Sequence, residues 1–488
     1  MQLRRLLRHR AGENRGKYMK KEKNRDCQER EPYFWERIQQ STVEKWMYGC
    51  LMGLCTLPLF VALTGRGWIY LFLGSVNPSN EVNLVLGNYW NFLVQFLSIF
   101  MGGCLIFKYA STKKKVLRKP AETAAWVRSH WLACSLAALL LWSTLSLFFA
   151  GNKVRAFWGD DYYHAGLLLL ICGCLIFKVS SGMTEKQMKM TLEVLTAVCA
   201  VTGLFVHCSG FLFGTDFYCD SRYKFMFHNS NHYGIFLAIG AATAMGLMLQ
   251  DRKYSLLSGL ARTVELWLIF NAMAACSSRG SFLPAAVILV IWNLYAFCMK
   301  KHLRKRVVFL DALFLLTVFC LNTGSLLSST LQNILFNILN IIHGADKTEA
   351  FDAMGTGRGR LWRYGIQFAM EKPLFGYGPS GLYEPYMDMK SLYYSPHNCL
   401  ILIAASAGFP AMLFYLSGLT GHLIGFLRYL KKMTVLEISL YGAVGAYLMN
   451  SLFASWIYYT TPYYFMVLGF SYGVYRKYRD QESRNLSR

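Results

Sequence analysis

Three arginines and a tryptophan crowd into Thr356-Gly357-Arg358-Gly359-Arg360-Leu361-Trp362-Arg363, and a histidine ends the same long polar stretch in Ser395-Pro396-His397-Asn398. Guanidinium groups recognise phosphate through two parallel hydrogen bonds, and glycines between them let backbone come close to a ligand. A solvated basic face is the plainer alternative. An imidazole at a cavity mouth can take a proton from an attacking hydroxyl, a contribution of roughly 10²- to 10⁴-fold. Nearby guanidinium groups would lower its pKa and keep it neutral, as a base requires. The alternative for His397 is a cap on the next helix.

Two further elements carry polar groups at breaks between apolar runs. Ser277-Ser278-Arg279-Gly280 puts a guanidinium at a membrane boundary, where it needs a partner or a wet cavity unless it snorkels to the surface. Phe227-His228-Asn229-Ser230-Asn231-His232-Tyr233-Gly234 sets two Asn side chains at a helix start, able to cap that helix or to hydrogen-bond a sugar.

The elements that must hold these residues are membrane helices. Hydrophobic residues make up 54% of the chain and recur in long runs, which a soluble chain of 488 residues would break with charge. The net charge of +24 would suit nucleic acid, but Lys and Arg gather in short segments between apolar runs, so no nucleic-acid partner is expected. About twelve transmembrane helices are predicted, an all-α polytopic integral membrane bundle. In the first half they run Trp46 to Leu63, Tyr89 to Phe107, Trp131 to Ala150, Tyr163 to Phe177, Met190 to Phe213 and Tyr233 to Leu249. Val264 to Ser277, Ser281 to Met299, Val307 to Gly324, Gly408 to Phe426, Val435 to Trp456 and Tyr463 to Tyr475 follow.

Residues 1–45 read as a basic cytoplasmic tail, 46–475 as the bundle and 476–488 as a second cytoplasmic tail. With both termini inside the cell membrane, the clusters Lys113-Lys114-Lys115, Arg252-Lys253, Lys300-Lys301 and Lys431-Lys432 all face the cytosol. One large extracytoplasmic loop, 325–397, then separates the ninth and tenth spans. Within it Leu331, Ile334, Leu335, Ile338 and Ile342 predict an interfacial helix, and Gly359 to Met370 a second helix stopped by Lys372-Pro373. Asn398 to Ala407 is apolar but short, and is predicted to be re-entrant. The fourteen Cys show no paired CxxC set and read mainly as packing residues, although Cys208 and Cys219 could meet near the outer surface.

These pieces, in this order, resemble the O-antigen ligase and O-antigen polymerase superfamily of bacterial membrane proteins. Members show an Asn-x-Asn element (Asn229, Asn231) and then a Ser-Arg-Gly break (Ser278-Arg279-Gly280). Next come Gly-Arg-x-x-Leu-Trp (Gly357, Arg358, Leu361, Trp362), Pro373-Leu374-Phe375-Gly376-Tyr377-Gly378, and His397-Asn398 with Gly408 beyond. The resemblance covers roughly 163–429. It singles out Arg358, which fits the spacing to the Trp, whereas Arg360 and Arg363 do not. It implies transfer of a glycan from undecaprenyl diphosphate to a glycan or lipid acceptor, by ligase or polymerase chemistry, without metal, nucleotide or other cofactor. His397, Arg279 and Arg358 would then be catalytic, with Asn398, Asn229, Asn231, Arg360, Arg363 and Trp362 binding substrate. The bilayer itself is the remaining partner, and the oligomeric state is open. A transporter or flippase of lipid-linked oligosaccharide is the alternative. Against it, Glu193, Glu265, Asp311 and Glu437 sit near the inner ends of their spans while the unusual charges lie in outer loops.

Overall fold

The computed structural model describes residues 34–73, 80–111, 120–213, 218–219, 222–250, 255–320, 347–391 and 393–486, with 332, 335 and 339. The basic tail up to residue 33, the 113–115 and 252–253 clusters and nearly all of the expected 331–342 helix lie outside the described residues. So do the side chains of Cys208 and Cys219.

In chain order the helices are α1 (Phe34–Leu73), α2 (Asn80–Ser111), α3 (Pro120–Ser129), α4 (Trp131–Leu147), α5 (Lys153–Trp158), α6 (Leu167–Ser180) and α7 (Glu185–Phe213). After a hairpin follow α8 (Ser230–Gln250), α9 (Leu256–Cys276), α10 (Arg279–Cys298) and α11 (Arg304–Cys320). The last five are α12 (Lys347–Glu371), α13 (Tyr383–Asp388), α14 (Cys399–Tyr429), α15 (Val435–Ser451) and α16 (Thr461–Leu486). The hairpin pairs β1 (Tyr218–Cys219) with β2 (Arg222–Tyr223) and is the one departure from helix and loop among the described residues.

Each predicted span overlaps a helix, and among the described residues seven helices are long and apolar enough to cross a membrane. Trp131–Leu147 and Leu167–Ser180 are apolar but shorter. Residues 476–486, expected as a C-terminal tail, continue α16, which runs on to Leu486. Lys477 pairs with Glu185 and Glu437 there, and Arg428 with Glu482, so the charged end of the helix finds partners on its neighbours.

At the centre stands α8, whose spanning stretch is wholly buried inside the protein. Its sequence explains this: it carries no charge between Ser230 and Gln250 and is rich in Gly and Ala, which let neighbouring backbones approach. A Cβ at Gly246 would lie 2.1 Å from the Ser439 Cβ, so α8 and α15 cross almost in backbone contact.

The expectation of a short helix before the tenth span has its counterpart in α14, which breaks at Gly408 (φ 85°, ψ 166°). Only glycine occupies that region without strain. A Cβ there would meet the Leu374 carbonyl oxygen at 2.0 Å. The first turn after the break is satisfied from outside: Phe409 N–H donates to Pro373 O at 2.8 Å, and Pro410 has no N–H to satisfy. Tyr377 N–H donates to Ala405 O at 2.9 Å, so the 373–378 loop is sewn to both halves of α14. Trp142 and Ser146 on α4 bond to the Leu374 and Phe375 carbonyls and hold the loop from its other side.

Candidate active site at the helix ends around His397

The short segment before α14 is fixed at both ends. Asn398 is the N-cap, its Oδ1 accepting from Leu400 N at 3.0 Å and Ile401 N at 3.1 Å, while its Nδ2 donates to Leu452 O at 3.1 Å. Ser395 and Ser455 hydroxyls bond to each other just upstream. Between them His397 takes a left-handed backbone, φ 49°, which a non-glycine residue adopts rarely and often at functional sites. The capping expected as the alternative for His397 is therefore done by Asn398.

Helix α12 brings Arg358 to this point. It packs on the start of α14 through Gly365, where a Cβ would meet Ile401 Cγ2 at 2.6 Å and Pro396 Cβ at 3.1 Å. Arg358 lies seven residues earlier, two helical turns along the same face. Its guanidinium comes close enough to act on the imidazole: burial, and then the Arg358 charge, lower the His397 pKa to about 4. The same charge reaches the buried Tyr163 phenol. Tyr163 and Tyr393 both meet the His397 ring edge to face, at 6.2 and 5.4 Å between centroids.

Gly357 (φ 88°) breaks α12 just before Arg358. The break turns the preceding segment back, so that Asp352 makes a two-pronged ion pair with Arg363, Nε–Oδ1 at 2.9 Å and Nη2–Oδ2 at 2.6 Å. Eleven residues of continuous helix would span about 16 Å and could not close this pair. Arg363 holds the Asp352 carboxyl below its usual pKa, and the Arg360 charge adds to that. Arg360 is itself exposed. The structure thus separates the three arginines: Arg358 faces His397, Arg363 is taken up by a carboxylate, and Arg360 flanks that pair. Trp362 lies 5.8 Å from Phe453, and its buried Nε1 meets no hydrogen-bond partner among the described residues.

The loop before α6 supplies another wall. Asp160 Oδ1 accepts from Tyr162 N at 3.0 Å and Tyr163 N at 2.7 Å, and Ser380 Oγ donates to Oδ2 at 2.8 Å. Arg155 pairs with Glu384 and lies 4.3 Å from the centre of the Tyr383 ring, joining that loop to α13.

The start of α8 forms the third side. Asn229 Oδ1 caps the helix by accepting from Asn231 N at 2.7 Å. Asn231 Oδ1 accepts from Ser278 Oγ at 3.0 Å and from Arg222 Nη2 at 2.9 Å, so the Asn-x-Asn element is bonded to the residue before Arg279. Ser277 (φ 47°) is the left-handed C-cap of α9 and Ser278 the N-cap of α10, which makes Arg279 its first residue. The Arg279 side chain lies outside the described residues. Beside Asn231, the buried His232 stands within electrostatic reach of both His228 and His397. Tyr162 packs on His228 and His232, at 4.5 and 6.4 Å between centroids. Burial and then the buried Lys224 lower the His228 pKa to about 4.

Sequence reading thus missed Arg222, Lys224, His232, Tyr162, Tyr163 and Tyr393. The signals were weak: two cations within nine residues of the Asn-x-Asn element, and a run of aromatics before α6. Among the described residues no three His, Cys, Asp or Glu side chains gather closely enough to hold a metal.

Residues 265–416 match the family model described as O-antigen ligase, which supports the superfamily that the ordered motifs resemble. The matched segment includes Arg279, Arg358 and His397, and leaves out the Asn-x-Asn element. No curated protein matches the chain.

Proposed function

We propose, on the premise that this chain carries an O-antigen ligase region across residues 265–416, that it transfers a glycan from undecaprenyl diphosphate to an acceptor hydroxyl at the extracytoplasmic membrane face. The reading rests on one observation above the others: Arg358 and His397 come together at one end of a membrane bundle, inside the matched segment.

The chemistry follows from the groups. The acceptor O–H gives its proton to the His397 imidazole as its oxygen attacks the anomeric carbon of the donor sugar. The bond from that carbon to the phosphate oxygen breaks, and its electron pair leaves with undecaprenyl diphosphate. Attack opposite the leaving group inverts the anomeric centre. Arg358 and Arg279 bind the diphosphate and stabilise the negative charge that grows on it. The proton passes from the imidazolium to bulk water, which restores the base.

A pKa near 4 makes His397 neutral but weakly basic before a donor binds. An anionic diphosphate against Arg358 offsets that cation and adds negative charge beside the imidazole, which raises its basicity when the base is needed. Asn231 has its Oδ1 filled by two donors, so its amide N–H groups are left to orient a sugar, and Asn398 keeps one N–H for the same use. Asn229 holds Asn231 in place. Arg360 and Trp362 contact the glycan farther from the reacting carbon, and Arg363 holds the α12 break.

The test is reconstitution of the purified protein with an extracted lipid-linked oligosaccharide, followed by mass spectrometry of the product. His397→Ala should leave folded protein in the membrane and abolish product. An active His397→Ala enzyme removes the base assignment. A longer lipid-linked glycan marks a polymerase, and a glycan joined to a different molecule marks a ligase.

A further inference from the structure

Five described arginines meet a carboxylate directly: Arg155 with Glu384, Arg262 with Glu193 and Glu265, Arg363 with Asp352, Arg428 with Glu482, and Arg479 with Asp480. Arg222, on β2, bonds to neutral acceptors instead, as Arg304 does to Phe297 O, but it sits beside the Asn-x-Asn element. It is half-buried, and its two hydrogen bonds go to neutral acceptors: Nη2 to Asn231 Oδ1 at 2.9 Å and Nε to Cys276 O at 3.3 Å. No carboxylate among the described residues pairs with it. A guanidinium carries five N–H donors, so about three remain unspent.

Desolvating a cation without a counter-ion is costly, and a few neutral acceptors offset only part of that cost. Such a group is favourable chiefly when an anion arrives. Its position says which anion. The two acceptors that fix Arg222 belong to the Asn-x-Asn element and to the end of α9, three residues before Arg279 in sequence. Ser278, the residue before Arg279, donates to the same Asn231 oxygen at 3.0 Å. Lys224, buried two residues beyond Arg222, acts on His228, so the hairpin delivers two positive charges to this side of the site. The hairpin lies outside the matched segment 265–416, so the family match assigns neither of them.

We infer that Arg222 is a third diphosphate-binding group, whose unspent N–H fork takes phosphate oxygens of the lipid carrier beside Arg279. The inference rests on the proposed function, because it presumes a lipid diphosphate in this site. Two jobs then fall to one side chain: its Nη2–Asn231 bond fixes the amide that faces the sugar, and its remaining donors hold the leaving group.

The experiment measures binding of undecaprenyl diphosphate and undecaprenyl monophosphate to the full-length protein in nanodiscs, for wild type, Arg222→Gln and Arg222→Lys. Gln keeps an N–H near the Nε position, which faces Cys276 O, but loses the bond to Asn231 Oδ1 and the charge; Lys keeps the charge. Arg222→Gln should weaken diphosphate binding about tenfold to a hundredfold and monophosphate binding much less. Arg222→Lys should stay within about tenfold of wild type and keep the preference for diphosphate. A purely structural clamp would instead lower thermal stability without lipid and leave the ratio of the two affinities unchanged.

A folded Arg222→Gln protein that binds diphosphate as tightly as wild type overturns the inference and leaves the proposed function standing. Should Arg222→Gln not fold, a folded Arg222→Lys protein with no preference for diphosphate overturns it equally. A wild type that does not prefer diphosphate over monophosphate overturns both the inference and the proposed function.

Discussion

Replacing Arg358 by Gln should move the acid limb of the pH–rate profile upward, and the geometry bounds how far. His397 must be neutral to accept a proton, so with its pKa lowered to about 4 the base is competent above that value and is lost as pH falls through it. The acid limb of kcat/KM, which reports the free enzyme, should therefore lie near 4 instead of the ordinary histidine value of 6.5. That displacement is about 2.5 pH units, and burial is the larger of its two causes. Arg358 then accounts for less than half, and Arg358→Gln should raise the limb to no more than about 5.3. Arg358→Lys, which keeps the charge, should leave it near 4. The Gln variant should also lose roughly 10²- to 10³-fold in rate from the missing leaving-group contact, which mass spectrometry of product can still follow. In the wild type the limb of kcat should lie above that of kcat/KM, because bound diphosphate offsets the Arg358 charge. A wild-type kcat/KM limb near 6.5, or a limb that Arg358→Gln leaves in place, would refute the pairing of these two side chains.

Three further substitutions probe the parts that hold the site. Gly408→Ala forces a side chain into a glycine-only conformation and against the Leu374 carbonyl, so it should cost at least about 3 kcal/mol and sharply reduce monodisperse protein in detergent; a normal yield and melting temperature would contradict the stitched break in α14. Asn398→Ala should cost about 1 kcal/mol by losing the cap, and Asn398→Asp should recover most of it because the acceptor oxygen remains, as thermal shift can read. Asp352→Asn removes a partly exposed ion pair worth at most about 1 kcal/mol. Because Arg363 lowers the Asp352 pKa, that contribution is complete at neutral pH and fades as pH falls through the carboxyl's folded value, so wild type and Asp352→Asn should converge in stability in acid.

Much of this architecture was legible in the chain. Apolar runs located the helices because a bilayer demands about 20 apolar residues per span, although the boundaries of the shorter helices depend on packing that hydropathy does not see. The stop of α12 at Lys372-Pro373 follows from a ring that cannot continue a helix, and the break at Gly408 was foreshadowed by the short apolar run before it. The Arg363–Asp352 pair was not legible, since partners eleven residues apart on a continuous helix lie about 16 Å apart, and only the turn at Gly357 makes them neighbours. Arg222 was passed over for a related reason. Its role depends on a two-residue hairpin and on contacts 9 and 54 residues away. His397 and Arg358, by contrast, stood out as residue types able to do proton transfer and phosphate binding, and the fold brings them together.

The most direct test of that convergence is the stoichiometry of a reconstituted turnover. Purified protein in liposomes containing a lipid-linked oligosaccharide and its acceptor should release one undecaprenyl diphosphate for every glycosidic bond formed, and His397→Ala should release none. Oligosaccharide that crosses the bilayer on an intact carrier, with no diphosphate freed and no new bond, would contradict the account.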